Sequence, residues 1–293
     1  MKFQKITLEN IDELRTFLYK EGEFSCELSP VNLLVWGALY KNEYCIEDDI
    51  LFLKSGAGEN LSFSMPFGDI KKGMEKLTEF CGGLPKIWAQ QGARFKEFIS
   101  LYEKNYCVKT ARDGFDYIYK SERLITLSGK KLHSKRNHIS AFTKSHEWCY
   151  EDINEENIPD VLECADRWYT ENNHRIDKKM ETERSGIEFM LKNKKQLGIL
   201  GGAIRVKGKI VAFTLGSPIN NNVFDIHIEK ALGDYSSAYT VINREFAAHN
   251  LKEYEYINRE DDLGLEGLRK AKLSYHPDIL LEKYDCKPKG VLL

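Results

Sequence analysis

Two six-residue phrases in this chain resemble each other and begin with the same three residues. Glu9-Asn10-Ile11-Asp12-Glu13-Leu14 is echoed by Glu156-Asn157-Ile158-Pro159-Asp160-Val161, 147 residues later. Each copy follows a short apolar strand candidate and opens an amphipathic stretch. The offset is half of the 293 residues, so the echo favours two similar domains where length alone allows one large or two ordinary ones.

The first half reads as mixed α/β. Asn10 or Thr7 caps a helix with Ile11, Leu14, Phe17 and Leu18 on one face. Tyr44 to Ile46 and Ile50 to Lys54 form a hairpin, Leu61 to Met65 a strand, and Asp69 caps a helix running to Phe80. Leu84 to Ala89 is a strand, Ala93 to Tyr102 a helix, and Val108 to Tyr119 an extended pair broken at Asp113-Gly114.

In the second half, Trp148 to Tyr150 is a strand and Ile158 to Tyr169 a helix, followed by a charged loop over 170–179 and a short helix through Ile187 to Leu191. Gly198 to Val206 and Lys209 to Gly216 form a hairpin over Lys207-Gly208. Val223 to Ile228 alternates as a strand, and Lys230 to Ser237 is a loop feeding the helix Ala238 to Asn250. Strand Tyr254 to Ile257, helix Leu265 to Leu273 and strand Ile279 to Tyr284 complete the order. Residues 130–144 hold five Lys or Arg and no acid, with Leu132, Ile139 and Phe142 at near-helical spacing, which predicts a basic amphipathic helix bridging the halves.

A net charge of −2 gives no global attraction to nucleic acid or anionic membrane, so any such contact is local. Seven scattered cysteines, with no Cys-x-x-Cys pair and no histidine at metal spacing, fit reduced thiols in a cytoplasm; no metal site is read from them. The N-terminus lacks the pattern of a signal peptide, and the longest apolar run, Leu33 to Tyr40, is far short of a membrane span.

Ile257 to Pro277 is dense in charge of both signs, more than a turn between two buried strands requires, and function is its expected cause. Within it, Ala271-Lys272-Leu273-Ser274-Tyr275-His276-Pro277 resembles the Phe-Lys-x-x-Phe segment of the Fem-type aminoacyltransferases and of the phosphatidylglycerol lysyltransferase catalytic domain. With Phe224 to Lys230 and Asn258 to Pro277, the C-terminal half is similar to a bacterial, lysyltransferase-like branch of the GNAT acyltransferase superfamily; the likeness weakens before Lys120. The resemblance implies a mixed-sheet α/β fold of two tandem GNAT-like domains, 1–120 and 147–293, joined by the basic helix in 121–146, with the active site in the second. Hairpin, strand, loop, helix, strand, helix, strand is a GNAT core's order, a match that does not use the motif.

Acyl transfer on such a scaffold needs a cradle for a phosphate-bearing donor, a partner for the developing oxyanion and a group that manages the acceptor's proton. Lys272 matches the motif lysine, which the resemblance places near the donor phosphate or transferred acyl group, and Tyr275, one helical turn on, offers a hydroxyl acid. Glu229 ends the central strand where many GNAT enzymes keep a carboxylate base. By the period of two, Asp225 and His227 share its face. Asn258, Arg259, Arg269 and Lys270 are candidates for binding substrate carboxylate or phosphate.

Lys230, Ser236 and Ser237, with Lys135 and Arg136 of the basic helix, are candidates for the donor phosphate at a helix N-terminus. That loop reads Gly233-Asp-Tyr-Ser-Ser-Ala and lacks the Arg/Gln-x-x-Gly-x-Gly/Ala of acetyl-CoA users, which tilts the expected donor from acyl-CoA towards aminoacyl-tRNA. No tightly bound cofactor is expected. tRNA is the expected macromolecular partner, the acceptor is a small molecule, peptide or lipid headgroup, and no pattern specifies an oligomeric state. An acyl-CoA-dependent N-acyltransferase and a catalytically silent binding module stay open.

Overall fold

Asn10 and Asn157 close the same pair of hydrogen bonds. In the computed structural model, which describes residues 1–21, 23–172 and 178–290, Thr7 N–H donates to Asn10 Oδ1 (2.8 Å) and Asn10 Nδ2 to the Lys5 carbonyl (2.9 Å). Asn154 N–H donates to Asn157 Oδ1 (2.9 Å) and Asn157 Nδ2 to the Asp152 carbonyl (3.0 Å). Each amide ties a strand end to the following helix, so the sequence echo is a structural repeat. Residues 173–177 of the charged loop lie outside the described residues.

Along the chain the elements are β1 (Gln4–Lys5), α1 (Ile11–Glu21), α2 (Pro30–Val35), α3 (Gly37–Tyr40), β2 (Glu43–Glu47), β3 (Ile50–Ser55), β4 (Ser62–Ser64), α4 (Ile70–Cys81), β5 (Ile87–Gln90), α5 (Ala93–Tyr102) and β6 (Tyr106–Thr110). There follow β7 (Asp116–Lys120), α6 (Ser121–Thr126), α7 (His133–Ser145), β8 (Trp148–Asp152), α8 (Ile158–Glu171), α9 (Lys178–Lys192), α10 (Lys194–Leu197), β9 (Leu200–Val206), β10 (Lys209–Pro218) and β11 (Val223–Ala231). The chain continues through α11 (Ala238–Asn250), β12 (Tyr256–Asn258), α12 (Glu266–Leu273), β13 (Ile279–Leu281) and β14 (Lys283–Pro288).

Two seven-stranded sheets repeat one plan, β1-β2-β3-β4-β5-β14-β6 and β8-β9-β10-β11-β12-β7-β13. In each the fourth and fifth strands are the parallel pair (Phe63↔Ile87, Phe224↔Ile257), while the strand inserted beside the fifth is antiparallel to it. This is the mixed α/β, tandem GNAT-like class expected from the sequence. The inserted strands are exchanged. β7 leaves the first half of the chain to complete the second sheet, and β14, the last strand, completes the first.

The compact units follow these pairings. One comprises Met1–Asp116, Asp261–Glu266 and Leu280–Leu293; the other comprises Tyr117–Glu260 and Gly267–Ile279. The contiguous boundaries expected at 120 and 147 therefore give way, because β5 and β6 pair through β14 and not with each other. The extended pair read at 108–119 and the single strand read at 279–284 each divide between the sheets, and the basic segment at 121–146 belongs to the second unit, where α6 and α7 pack on α11.

Both faces of the first sheet are covered. On β3, Ile50 and Phe52 join Ile70, Met74, Leu77 and Phe98, whereas Leu51 and Leu53 join Leu14, Leu18 and Tyr44. In the second unit β10 is buried from Ile210 to Ser217, and α11 buries Val241, Ile242 and Phe246. No helix among the described residues is long and apolar enough to cross a membrane.

Candidate functional site

β11 and β12 run side by side for only three registered pairs, Val223↔Tyr256, Phe224↔Ile257 and Asp225↔Asn258. β11 continues to Ala231 while β12 ends at Asn258, so the parallel pair opens into a fork. A bulge lies at its base. Leu215 of β10 faces Ile228 but Gly216 faces Ile226, which leaves His227 as the extra residue. Gly216 permits this approach, since a Cβ there would stand 2.2 Å from the Asp225 carbonyl oxygen and 2.4 Å from the Phe224 ring.

The bulge resets the side-chain alternation. Phe224 packs on Phe246 of α11 (ring centroids 5.9 Å), and Glu229 accepts a hydrogen bond from Asn243 of the same helix (3.1 Å). Five residues apart, the two would face opposite ways on a regular strand. The expectation that Asp225, His227 and Glu229 line one wall is thereby corrected: Asp225 faces away from α11 with His227 beside it, and Glu229 faces α11.

On the α11 side, Glu229 Oε1 pairs with Arg259 Nη2 at 2.6 Å across the fork. The guanidinium lies 4.8 Å from the Tyr275 ring centre and 5.9 Å from that of Tyr119. Lys135 of α7 places Nζ 3.9 Å from the centre of the same Tyr275 ring. Lys272 does not reach the carboxylate. Its Nζ donates to the Arg259 carbonyl (2.5 Å), and its own carbonyl accepts from Tyr119 Oη (2.7 Å). Lys272 thus holds the backbone of the arginine whose side chain holds Glu229.

Two polar atoms in this cluster are buried without a hydrogen bond among the described residues: Arg259 Nη1 and Asn243 Oδ1. They flank Glu229 as one open donor and one open acceptor. Burial works against the Arg259 charge, but Glu229 outweighs it and keeps the guanidinium protonated. Burial also raises Tyr275, so the phenol stays neutral. Lys135 is lowered to about 8, first by burial and then by the Arg259 charge, with Glu229 partly opposing.

The other side holds a second cluster. His227 Nε2 lies 2.7 Å from Ser217 Oγ, and Nδ1 faces Asp225 Oδ2 at 3.4 Å and Glu260 Oε1 at 3.5 Å. Glu260 adopts φ 55° and donates its N–H to Asn258 Oδ1 (2.7 Å). Burial depresses the imidazole, but the two carboxylates prevail and raise it to about 9. Ser217, His227 and Asp225 have the residue types of a nucleophile relay, yet Ser217 is wholly buried and offers a substrate no approach.

The other sequence candidates lie along the second unit. Lys230 pairs with Glu183 (2.6 Å) and sits 3.8 Å over the Trp168 ring. Arg136 donates to the carbonyls of Leu127 and Gly129. Ser237 stands at the N-cap of α11 without a side-chain capping bond, and Ser236 precedes it. In their loop the Gly233 N–H already binds the Glu171 carboxylate (2.9 Å). Lys270 is exposed and Arg269 half-buried on α12.

Sequence reasoning missed Asn243, Tyr119 and Ser217, which are ordinary residues until the fold gathers them. The glycine at 216 was the available clue to the bulge. A concavity of about 460 Å³ in the first unit is lined by Met74, Glu75, Thr78, Glu79, Gly83 and Tyr102.

The sequence model of a family described as phosphatidylglycerol lysyltransferase, C-terminal, matches residues 22–287. A conserved protein of unknown function from Bacteroides thetaiotaomicron has a similar structure, with a TM-score of 0.92 and 38% identity over 99% of this chain and 100% of that one. The L-PGS of Bacillus licheniformis is similar in fold, with a TM-score of 0.64 and 16% identity over 96% of this chain and 93% of its own. An uncharacterised protein of Mycoplasmoides gallisepticum is 27% identical over 175 residues. That match covers 59% of this chain and 56% of the relative, so the chain spans little more than half of that curated relative's length.

Proposed function

Because this chain belongs to the phosphatidylglycerol lysyltransferase C-terminal family, we propose that it transfers an aminoacyl group from aminoacyl-tRNA to an amine or hydroxyl acceptor at the fork between β11 and β12. The observation that carries the reading is the pair of open buried atoms beside Glu229. An aminoacyl ester has a carbonyl oxygen to accept from Arg259 Nη1 and an α-ammonium to donate to Asn243 Oδ1 and Glu229. A buried polar atom left without a partner is costly, so a ligand of matching polarity is strongly selected.

In this reading Arg259 polarises the ester carbonyl and stabilises the oxyanion formed when the acceptor attacks. Glu229, Lys272 and Tyr275 position the guanidinium. Lys135, lowered to about 8, accepts the acceptor's proton, a task suited to an amine that titrates near neutral pH. The ribose oxygen leaves with the electron pair of the broken ester bond. α7, which carries Lys135 into the cluster, shows Lys144 to solvent, with exposed Lys130 and Lys131 just before it, and these local cations are available to a nucleic-acid backbone. The loop before α11 supports acyl-CoA poorly, because Gly233 N–H is bound to Glu171 and Asp234 follows it.

Transfer of a labelled amino acid from charged tRNA to a panel of amine and hydroxyl acceptors tests the proposal, together with melting temperatures in a non-hydrolysable aminoacyl-adenosine analogue and in CoA. Transfer, and stabilisation by the adenosine analogue that is weakened in Arg259→Lys, is the expected outcome. Stabilisation by CoA alone would replace this reading with the acyl-CoA one, and no response to either donor would favour a silent module.

A further inference from the structure

We infer that two copies of this chain join through β6, extending the first sheet across a two-fold axis at Val108. β6 is the outermost strand of that sheet, beyond β14. Its ladder with β14 shows which backbone groups are open. Ala111 N–H donates to the Lys283 carbonyl and Lys289 N–H to the Asn105 carbonyl, each at 2.8 Å. In an antiparallel pair the groups that face the neighbour belong to alternate residues, so Asn105, Cys107, Lys109 and Ala111 turn towards β14. Tyr106, Val108 and Thr110 turn their backbone N–H and C=O outward, and among the described residues no hydrogen bond meets those groups. Pro288, which has no N–H to give, stands opposite Tyr106, where the ladder calls for none.

Solitary proteins guard such edges by keeping them short, charged, bulged or covered. The other outer strands obey this. β1 has two residues and β13 three, and on β8 the Asp152 carbonyl already accepts from Asn157 (3.0 Å) beside the acid Glu151. β6 has five residues in unbroken register with β14, and from Cys107 to Thr110 every one is exposed, with Lys109 as the one charge. Val108 is 37% exposed. α5 covers the same face of the sheet, since Phe98 packs on Tyr106 (ring centroids 5.3 Å), and its Leu101 is 46% exposed.

The strand's own sequence selects a second copy and its register. A two-fold axis at Val108 sets Val108 against Val108 and Tyr106 against Thr110, so every outward residue exchanges a pair of hydrogen bonds. Side chains suit the same register. Val108 meets its mate on the face that carries both α5 helices, where Leu101 of each adds apolar surface. On the other face Lys109 meets Cys107 of the second copy, while Asp285 of its own β14 flanks it. An axis at Lys109 would oppose two lysines, and an axis at Cys107 would set Thr110 against Lys104, outside the strand. The pairing is isologous, so it closes at two copies and leaves β6 no edge for further growth.

Sedimentation equilibrium of the full chain from low to high micromolar concentration is the test, with the mass of two chains as the expected result. Val108→Pro removes an N–H that β14 does not use, so the fold should survive, while the dimer weakens at least about tenfold because both halves lose the bond. Should that variant misfold, Val108→Lys decides, since it keeps the N–H and opposes two like charges across the axis. Disulfide trapping reads the register. Residues paired across the axis stand about 5.5 Å apart at Cα, within reach of a disulfide, whereas diagonal ones stand about 7–8 Å apart. In a Cys107→Ser background, Val108→Cys should therefore cross-link on mild oxidation and Lys109→Cys should not. A chain that stays monomeric throughout, a dimer undiminished in both Val108 variants, or cross-linking at 109 in place of 108 would overturn the inference.

Discussion

Arg259 is defined by what holds it and by what it leaves open: Glu229 on Nη2, Lys272 on its carbonyl, and Nη1 without a hydrogen bond among the described residues. Arg259→Lys keeps a cation but loses the planar fork, and transfer activity should fall about 10²–10³-fold in kcat. Arg259→Leu leaves Glu229 buried without its counter-charge. Urea unfolding should report a loss of about 3–5 kcal/mol, partly restored in Arg259→Leu/Glu229→Gln; strict additivity of the two changes would contradict the coupling. Lys135 supplies a pH signature. Its folded value, about 8, lies below the unfolded value near 10.5, so the unfolded chain binds more protons between them. The cost of burying it is full below about pH 8 and disappears as pH rises towards 10.5. Stability should therefore rise across that window, and Lys135→Met should remove this rise. Several of these residues were legible in the sequence: Glu229, Arg259, Lys272 and Tyr275 were all singled out. Their wiring was not, because Lys272 acts on a carbonyl and every residue has one.

At the scale of elements, the fork and its bulge do most to shape the site. Val223 to Ile228 alternates cleanly in sequence, and nothing in its periodicity betrays that the strand shifts by one residue at His227. A bulge is a property of two strands together, and its trace was on the neighbour, at Gly216. Gly216→Ala should force a Cβ against the Asp225 backbone and the Phe224 ring. The expected cost is about 1–3 kcal/mol or more, read as a lower urea midpoint. A midpoint unmoved from that of the parent would mean that β10 and β11 do not approach as closely as described. Helix and strand order was readable because burial imprints its period on the sequence. The sheet that each strand joins leaves no such imprint, and β6, β7, β13 and β14 are where the reading failed.

For the molecule as a whole, the exchange of β7 and β14 makes each unit depend on residues distant in the chain. Lys283 of β14 pairs with Asp116, 167 residues earlier, where both side chains are buried, and Cys286 joins the core of Phe52, Phe63 and Ile87. Termination after Leu281 should therefore abolish cooperative unfolding of the first unit, whereas removal of 289–293 should be mild. Native-state hydrogen exchange comparing the two truncations checks this; protected β5 and β6 amides in the shorter chain would refute it. Lys283→Met removes the buried ammonium that pairs with Asp116 and Glu27 and should be severe, by about 3–5 kcal/mol. The same exchange orders events during synthesis. β7 is made before the rest of the sheet it joins, so the second sheet has that strand early. The first sheet stays open between β5 and β6 until β14 has been made, with two edges unpaired in the meantime, and this interval is when the nascent chain most needs a chaperone.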